Sequence, residues 1–174
     1  MRNITPDTLA AHSAEVAALA HALALIGNKY YDKNYDCGRA ALLALYHDAP
    51  EVYTGDMPTP VKYFSSEMRA AYTDIEHKAG QVLLSKLPEE LRGEFGSLFG
   101  ITPSEDDARL LLIVKAADKL SAYIKCVEEE KCGNTEFREA RKTLLATLRQ
   151  NPLPELERFM ADFLPAFELT LDEL

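Results

Sequence analysis

Apolar residues recur at three- and four-residue steps along most of this chain, and no segment of useful length alternates apolar with polar residues. One such helical pattern comprises Val16, Leu19, Ala20, Leu23 and Ile26. A period near 3.6 residues is typical of helices, whereas half-buried strands alternate with a period of two. The chain has 174 residues, which suits one domain with a substantial core. The sequence therefore predicts an all-α, single-domain helical bundle over residues 1–174.

Helix boundaries follow from caps, glycines and prolines. Gly27-Asn28 is a stop signal for the first helix, and Pro50 disturbs the second because it lacks an N–H. Gly133, within Cys-Gly-Asn, is predicted to end a long helix at about Lys131. The first turn of that helix is acidic, which the helix dipole favours. The predicted helices after the first are 37–47, 65–87 with Ser65 or Ser66 as cap, a short helical turn pair within 88–100, 103–131, 136–149 and 154–167.

Charge and cysteine content limit the partners and the compartment. The formal net charge of −9 argues against a nucleic-acid polymer, which would favour a basic face. The three cysteines have no CxxC spacing, so a disulfide framework or thiolate zinc site is not expected. The longest apolar runs, Ala40–Tyr46 and Leu110–Val114, are far shorter than the roughly 20 residues of a membrane span. No secretory signal is visible. We expect a cytoplasmic protein without a membrane partner.

The adjacent residues His47 and Asp48 are candidate metal ligands. On a helix their side chains would point about 100° apart, so both could flank one ion beside the helix. Imidazole and carboxylate suit borderline divalent ions such as Zn, Mn, Co or Fe. Two ligands are too few, because a hydrolytic site uses three or four protein ligands and open positions for water and substrate.

His12 and Asp118 are the candidates for the remaining ligands. His12 lies at the apolar edge of the first helix, and Asp118 lies within a strongly apolar helix, where an unpaired carboxylate is costly. Taken singly, His12 is more often a polar helix-start residue, and Asp118 is more often paired with Lys115 or Lys119 or solvated. An isolated His-Asp pair also occurs often by chance. The combination of His, His-Asp and Asp on three different helices is what favours a metal site.

The other two histidines fit that site less well. His21 follows His12 by two and a half helical turns and should point to the opposite face. His77 lies among Asp74, Glu76 and Lys78, which is typical of a solvated helix face.

The H…HD…D pattern resembles the HD superfamily of metal-dependent phosphohydrolases. The segment from Tyr46 to Phe64 (YHDAPEVYTGDMPTPVKYF) is similar to the signature of the bacterial 5′-deoxynucleotidases. The segment from Val114 to Glu129 (VKAADKLSAYIKCVEE) and the tail 159–174 match them as well. This resemblance covers nearly the whole chain in one register, and it implies hydrolysis of deoxynucleoside 5′-monophosphates.

By that resemblance, His12, His47, Asp48 and Asp118 bind one divalent metal ion. The family resemblance points to cobalt, with manganese or copper as alternatives, while the donor chemistry also admits zinc or iron. Glu51, one turn beyond His47, would assist proton transfer at the metal-bound water, with Asp48 as the other catalytic residue. Without the resemblance, Glu51 is a solvated carboxylate at a helix end.

The loop Asp56, Met57, Pro58 and Thr59 matches the family's substrate loop. The resemblance implies that Asp56 accepts a hydrogen bond from the sugar 3′-hydroxyl, and that the substrate also lies against His12, Asp48 and Asp118. The alternative is a proline-stiffened turn that caps the next helix, and both readings can hold. Lys62 and Lys115 are candidate phosphate contacts on charge alone.

The chain departs from the family at its start. Family members carry about twenty further residues, a helix with an Arg-Trp pair linked to phosphate orientation and to the exclusion of ribose. Either the sequence is shortened, or Arg2 and another aromatic residue take these roles. Three functions follow for testing: a 5′-deoxynucleotidase, a broader nucleotide phosphatase or phosphodiesterase, and a catalytically silent helical metal-binding module. The resemblance also implies a homodimer.

Overall fold

The computed structural model describes residues 3–4, 6–55, 57, 64–170 and 172–173. Over these residues it contains α-helices and two 3-10 helices and no β-strand, which confirms the all-α prediction. The 3-10 helices are Thr135–Phe137 and Leu164–Glu168. The α-helices are α1 (Leu9–Tyr30), α2 (Cys37–Tyr46), α3 (Glu51–Thr54), α4 (Ser66–Ser85), α5 (Glu89–Leu98), α6 (Glu105–Lys131), α7 (Arg138–Arg149) and α8 (Pro154–Asp162).

Local signals set several helix ends where they were expected. The Ser65 hydroxyl accepts a hydrogen bond from the Met68 N–H, as predicted for the cap of α4. Thr8 caps α1 in the same way by accepting from the Ala11 N–H. Helix α6 ends at Lys131, shortly before Gly133, whose φ of 87° favours glycine. Between residues 88 and 100 the structure has one helix, α5, instead of the predicted turn pair.

The predicted stop at Gly27 is wrong, because α1 continues to Tyr30. Gly27 is buried within the helix, and a Cβ there would lie 2.7 Å from Cε2 of Tyr35. The glycine therefore permits the close approach of the Tyr35 ring. Asn28 holds the same tyrosine, since its side-chain amide donates to the Tyr35 carbonyl and accepts from the Tyr35 N–H, each at 2.8 Å.

The chain forms two compact units, one of residues 1–45 and 109–174 and the other of residues 46–108. In the first unit, α1 contacts α8. Its fully buried core includes Val16 and Leu23 of α1, Ile113 and Leu120 of α6, and Leu156 of α8. Each such side chain stabilises the fold by about 1.5–3 kcal/mol. The prediction of a single domain over residues 1–174 stays a prediction.

The second unit is built around α4, with α3 and α5 contacting it. Tyr46, Phe95 and Phe99 form an aromatic cluster, in which the Tyr46 and Phe95 rings meet edge to face with centroids 5.8 Å apart. The buried Tyr72 of α4 donates a 3.1 Å hydrogen bond to the Gly55 carbonyl. This bond anchors the residue that follows α3.

Helix α1 is long and apolar enough to cross a membrane by length and composition, with a mean hydropathy of 1.5 over its most apolar window. The lengths of the uninterrupted apolar runs do not show this, because polar residues separate the apolar ones in α1. A core helix passes the same test, and α1 buries Val16, Leu19, Ala20, Leu23 and Ala24 within its own unit.

Candidate metal centre

His12 and Asp118 meet within the first unit. Capping by Thr8 begins α1 at Leu9, so His12 lies in its first turn, while Asp118 lies in the middle of α6. Nε2 of His12 is 3.3 Å from Oδ1 of Asp118, and the side chains are 21% and 42% exposed. A histidine therefore lies beside Asp118, where Lys115 or Lys119 was considered as a partner, and the carboxylate is half-exposed instead of sealed in the apolar core. This leaves access for an ion and solvent beside the pair.

The other ring nitrogen of His12 also has a neighbour on α6. Nδ1 lies 3.3 Å from the hydroxyl oxygen of Ser121, which is 1% exposed. The Ser121 hydroxyl donates a 2.8 Å hydrogen bond to Oε2 of Glu15, on α1. Burial raises the pKa of the Glu15 carboxyl, and the hydrogen bond from Ser121 opposes that shift.

Ser121 and Glu15 were absent from the residues predicted from sequence. The available signal was spacing, since Glu15 follows His12 by three residues and Ser121 follows Asp118 by three. Residues three apart lie on one face of a helix. Which two faces meet is a tertiary property, and the sequence pattern alone did not reveal it.

His47 and Asp48 lie in the second unit, in a turn instead of on a helix. Helix α2 was predicted to reach His47, but it ends at Tyr46. The Tyr46 carbonyl accepts from the Ala49 N–H at 3.0 Å, because Pro50 has no N–H with which to continue the helical ladder. The argument from a 100° helical separation therefore does not apply. The turn nevertheless brings the two side chains together, with His47 Nε2 3.1 Å from Asp48 Oδ2 and exposures of 12% and 24%.

Glu51 begins α3 directly after this turn. Its backbone N–H donates a 2.9 Å hydrogen bond to the Asp48 carbonyl, and its carbonyl accepts from the Gly55 N–H at 2.8 Å. Gly55 has a φ of 67°, which favours glycine and ends the short helix. The Glu51 residue is half-buried.

The predicted substrate loop is described only in part. Met57 is half-buried, whereas Asp56, Pro58 and Thr59 lie outside the described residues. Lys62 and Arg2 lie outside them as well. Lys115 is exposed on α6.

The two histidines judged unsuitable as ligands are both exposed. His21 lies on α1 and His77 on α4. Near His77, Lys78 pairs with Asp74 at 2.6 Å, as expected of a solvated helix face.

Comparison with known proteins assigns the chain to a family. Residues 1–167 match the family model described as 5′-deoxynucleotidase YfbR-like. The chain belongs to the 5′-deoxynucleotidase YfbR-like family. It is 47% identical to a 5′-deoxynucleotidase of Vibrio parahaemolyticus, over 100% of this chain and 89% of that protein. It is also 45% identical to one of Shewanella oneidensis and 47% identical to YfbR of Escherichia coli, over 100% of this chain and 88% and 86% of those proteins.

Solved structures agree on the fold. An HD-domain phosphohydrolase from Listeria innocua matches 95% of this chain and 79% of its own with a TM-score of 0.80 at 23% identity. The PH0347 protein from Pyrococcus horikoshii matches 94% of this chain and 84% of its own with a TM-score of 0.63 at 22% identity. The YfbR-like chain therefore has the fold of the Listeria HD-domain phosphohydrolase.

The donor chemistry of this YfbR-like chain fits a divalent metal ion. His12, His47 and Asp48 are half-buried candidates for ligands, and Asp118 adds a second carboxylate beside His12. Imidazole nitrogens and carboxylate oxygens are donors that borderline divalent ions accept. The thiolates of structural zinc sites play no part in this group of candidates.

Proposed function

We propose that this chain is a metal-dependent 5′-deoxynucleotidase, which hydrolyses deoxynucleoside 5′-monophosphates to a deoxynucleoside and phosphate. The observation that carries the proposal is the match of residues 1–167 to the YfbR-like family. Full-length relatives bearing the name 5′-deoxynucleotidase at 45–47% identity support the same reaction. A silent binding module would not need the acidic residue Glu51 directly after the His-Asp turn.

His12, His47, Asp48 and Asp118 are the proposed ligands of one divalent ion. Support comes from two pairs that are aligned within their own units, His12 with Asp118 and His47 with Asp48. When bound, such an ion lowers the pKa of a coordinated water and polarises a phosphate oxygen. Cobalt, manganese, zinc, iron and copper all accept this donor set, and a metal series identifies the native ion.

Glu51 and Asp48 are the proposed catalytic residues. Water oxygen attacks phosphorus, the bond between phosphorus and the 5′-oxygen breaks, and the leaving 5′-oxygen gains a proton. The Glu51 carboxylate takes the proton that the attacking water gives up and returns it to the leaving 5′-oxygen. The hydrogen bond from its N–H to the Asp48 carbonyl sets the spacing between the two residues along the chain.

The proposed substrate contacts are a loop that binds the nucleoside and a group of metal ligands that contact the phosphate. Asp56, Met57, Pro58 and Thr59 form the loop, with Asp56 accepting from the sugar 3′-hydroxyl. His12, Asp48 and Asp118 contact the phosphate end. The hydrogen bond from Tyr72 to Gly55 supports this assignment, because it ties the residue before the loop to α4.

We further propose that the enzyme is a cytoplasmic homodimer. Three free cysteines favour a reducing compartment. Leu42 and Leu45 are exposed one turn apart on α2, which supports an apolar contact between copies. Light scattering during size-exclusion chromatography measures the mass, and a monomer would contradict the dimer.

Phosphate release from dAMP and AMP in parallel tests the activity. We expect turnover of dAMP that EDTA abolishes and that divalent metal restores. Faster release from dAMP than from AMP supports deoxyribose selectivity, whereas equal rates indicate a broader nucleotide phosphatase. A cyclic nucleotide and a phosphodiester form the third arm, and turnover of these alone would overturn the nucleotidase assignment.

A further inference from the structure

We propose that Ser121 and Glu15 are positioning residues that fix the ring orientation and tautomer of His12 as a metal ligand. The inference rests on the proposed function, since it assigns His12 to the metal. It adds two residues that act through His12 without touching the ion.

The geometry consists of two helix faces that meet. His12 and Glu15 are three residues apart on α1, and Asp118 and Ser121 are three residues apart on α6. Asp118 lies 3.3 Å from Nε2 of His12, and Ser121 lies 3.3 Å from Nδ1. A single face of α6 therefore contacts both nitrogens of the ring and limits its rotation.

The direction of the hydrogen bonds selects the tautomer. A serine hydroxyl carries one proton, and that of Ser121 is donated to Oε2 of Glu15 at 2.8 Å. The Ser121 oxygen can therefore only accept from His12, so Nδ1 must carry the hydrogen. The lone pair of the ring then lies on Nε2, on the side of Asp118, where a metal ligand requires it. Metal-bound histidines are commonly fixed by such a hydrogen bond from the second nitrogen.

Burial makes this arrangement specific. Ser121 is 1% exposed, so its hydroxyl has little access to water as an alternative partner. A purely structural role predicts that the loss of the hydroxyl lowers stability and leaves metal affinity unchanged. Positioning predicts a change in metal affinity that is separable from stability.

Metal affinity measured by competition with a chromophoric chelator separates the two. We expect Ser121→Ala to weaken Co²⁺ binding by roughly 10–100-fold, the range typical for such outer partners. Ser121→Thr retains the hydroxyl and should recover most of the affinity. Glu15→Gln retains an acceptor oxygen and should have a smaller effect than Glu15→Ala. The matched control is Ser13→Ala, which alters another buried serine next to His12 in sequence.

The tautomer itself is observable by ¹⁵N NMR of the zinc-loaded protein. We expect a protonated Nδ1 and a metal-bound Nε2 for His12 in the unaltered chain. A protonated Nε2, or equal Co²⁺ affinity of the unaltered and Ser121→Ala proteins, would overturn the inference. If Ser121→Ala does not fold, the Glu15→Gln and Glu15→Ala comparison decides on the same affinity readout. Failure of the unaltered protein to bind any metal would instead refute the proposed function.

Discussion

The Tyr35 hydroxyl donates a 3.0 Å hydrogen bond to Oε1 of Glu155, whose side chain is completely buried. Tyr35 belongs to the loop between α1 and α2, and Glu155 lies in the first turn of α8. Among the described residues, the other carboxylate oxygen of Glu155 has no hydrogen-bond partner. The hydrogen bond from Tyr35 therefore offsets much of the free-energy cost of burying this acidic side chain.

Stability that depends on Tyr35 should be lost at alkaline pH. Burial, together with Glu155, raises the Tyr35 pKa from 10.0 to about 12. Because the folded value lies above the unfolded one, the contribution is complete below pH 10.0 and is lost as the pH rises through about 12. We expect the difference in unfolding free energy between the unaltered chain and Tyr35→Phe to shrink over this window. Urea titrations at pH 9, 10 and 11 measure it, and a constant difference would contradict the assignment.

His47→Ala should abolish tight metal binding. Loss of a direct ligand should weaken metal binding by more than the roughly 10–100-fold that is typical of outer partners. Metal content after dialysis and Co²⁺ competition are the measurements. His77→Ala, which alters an exposed histidine on α4, is the matched control and should bind metal normally. Unchanged metal content in both His47→Ala and Asp48→Ala would remove this turn from the metal site.

Gly27→Ala should destabilise the protein although it lies inside a helix. Its Cβ would meet the Tyr35 ring at 2.7 Å, and such overpacking costs about 1–3 kcal/mol. Gly93→Ala in α5 is the control, because a Cβ there meets nothing within 4 Å. That variant should be more stable by about 0.5–1 kcal/mol. Thermal unfolding of both variants tests the pair, and a stabilised Gly27→Ala would show that the ring moves aside without cost.

The three cysteines should differ in reactivity towards a disulfide reagent. Cys132 is exposed, whereas Cys126 is buried and its burial raises the thiol pKa to about 11. The thiolate is the reactive form, so Cys126 should react only when the protein unfolds. We expect Cys132→Ser to remove the fastest phase at pH 7.5, whereas Cys126→Ser should leave it intact. Rapid modification of Cys126 in the folded protein would contradict this burial.

The sequence by itself determined the helical class, most helix ends and the residue types of the candidate metal site. These properties depend on neighbours within a turn or two, such as the Ser65 cap of α4 and the glycine after α6. The adjacent pair His47 and Asp48 was visible for the same reason. The predicted end of α2 was wrong by one residue, because the turn before Pro50 ends the helix at Tyr46 instead of His47.

The tertiary structure decided which side chains meet. Periodicity shows that His12 and Glu15 share a helix face, but it does not show that this face lies against Asp118 and Ser121. Likewise, nothing near Gly27 in sequence indicated that its missing Cβ accommodates Tyr35. Helix ends depend on residues within a few positions along the chain, whereas these contacts depend on how helix faces that are far apart in sequence pack together. Packing thus selects the partners that bring separate His, Asp, Ser and Glu side chains into one contacting group.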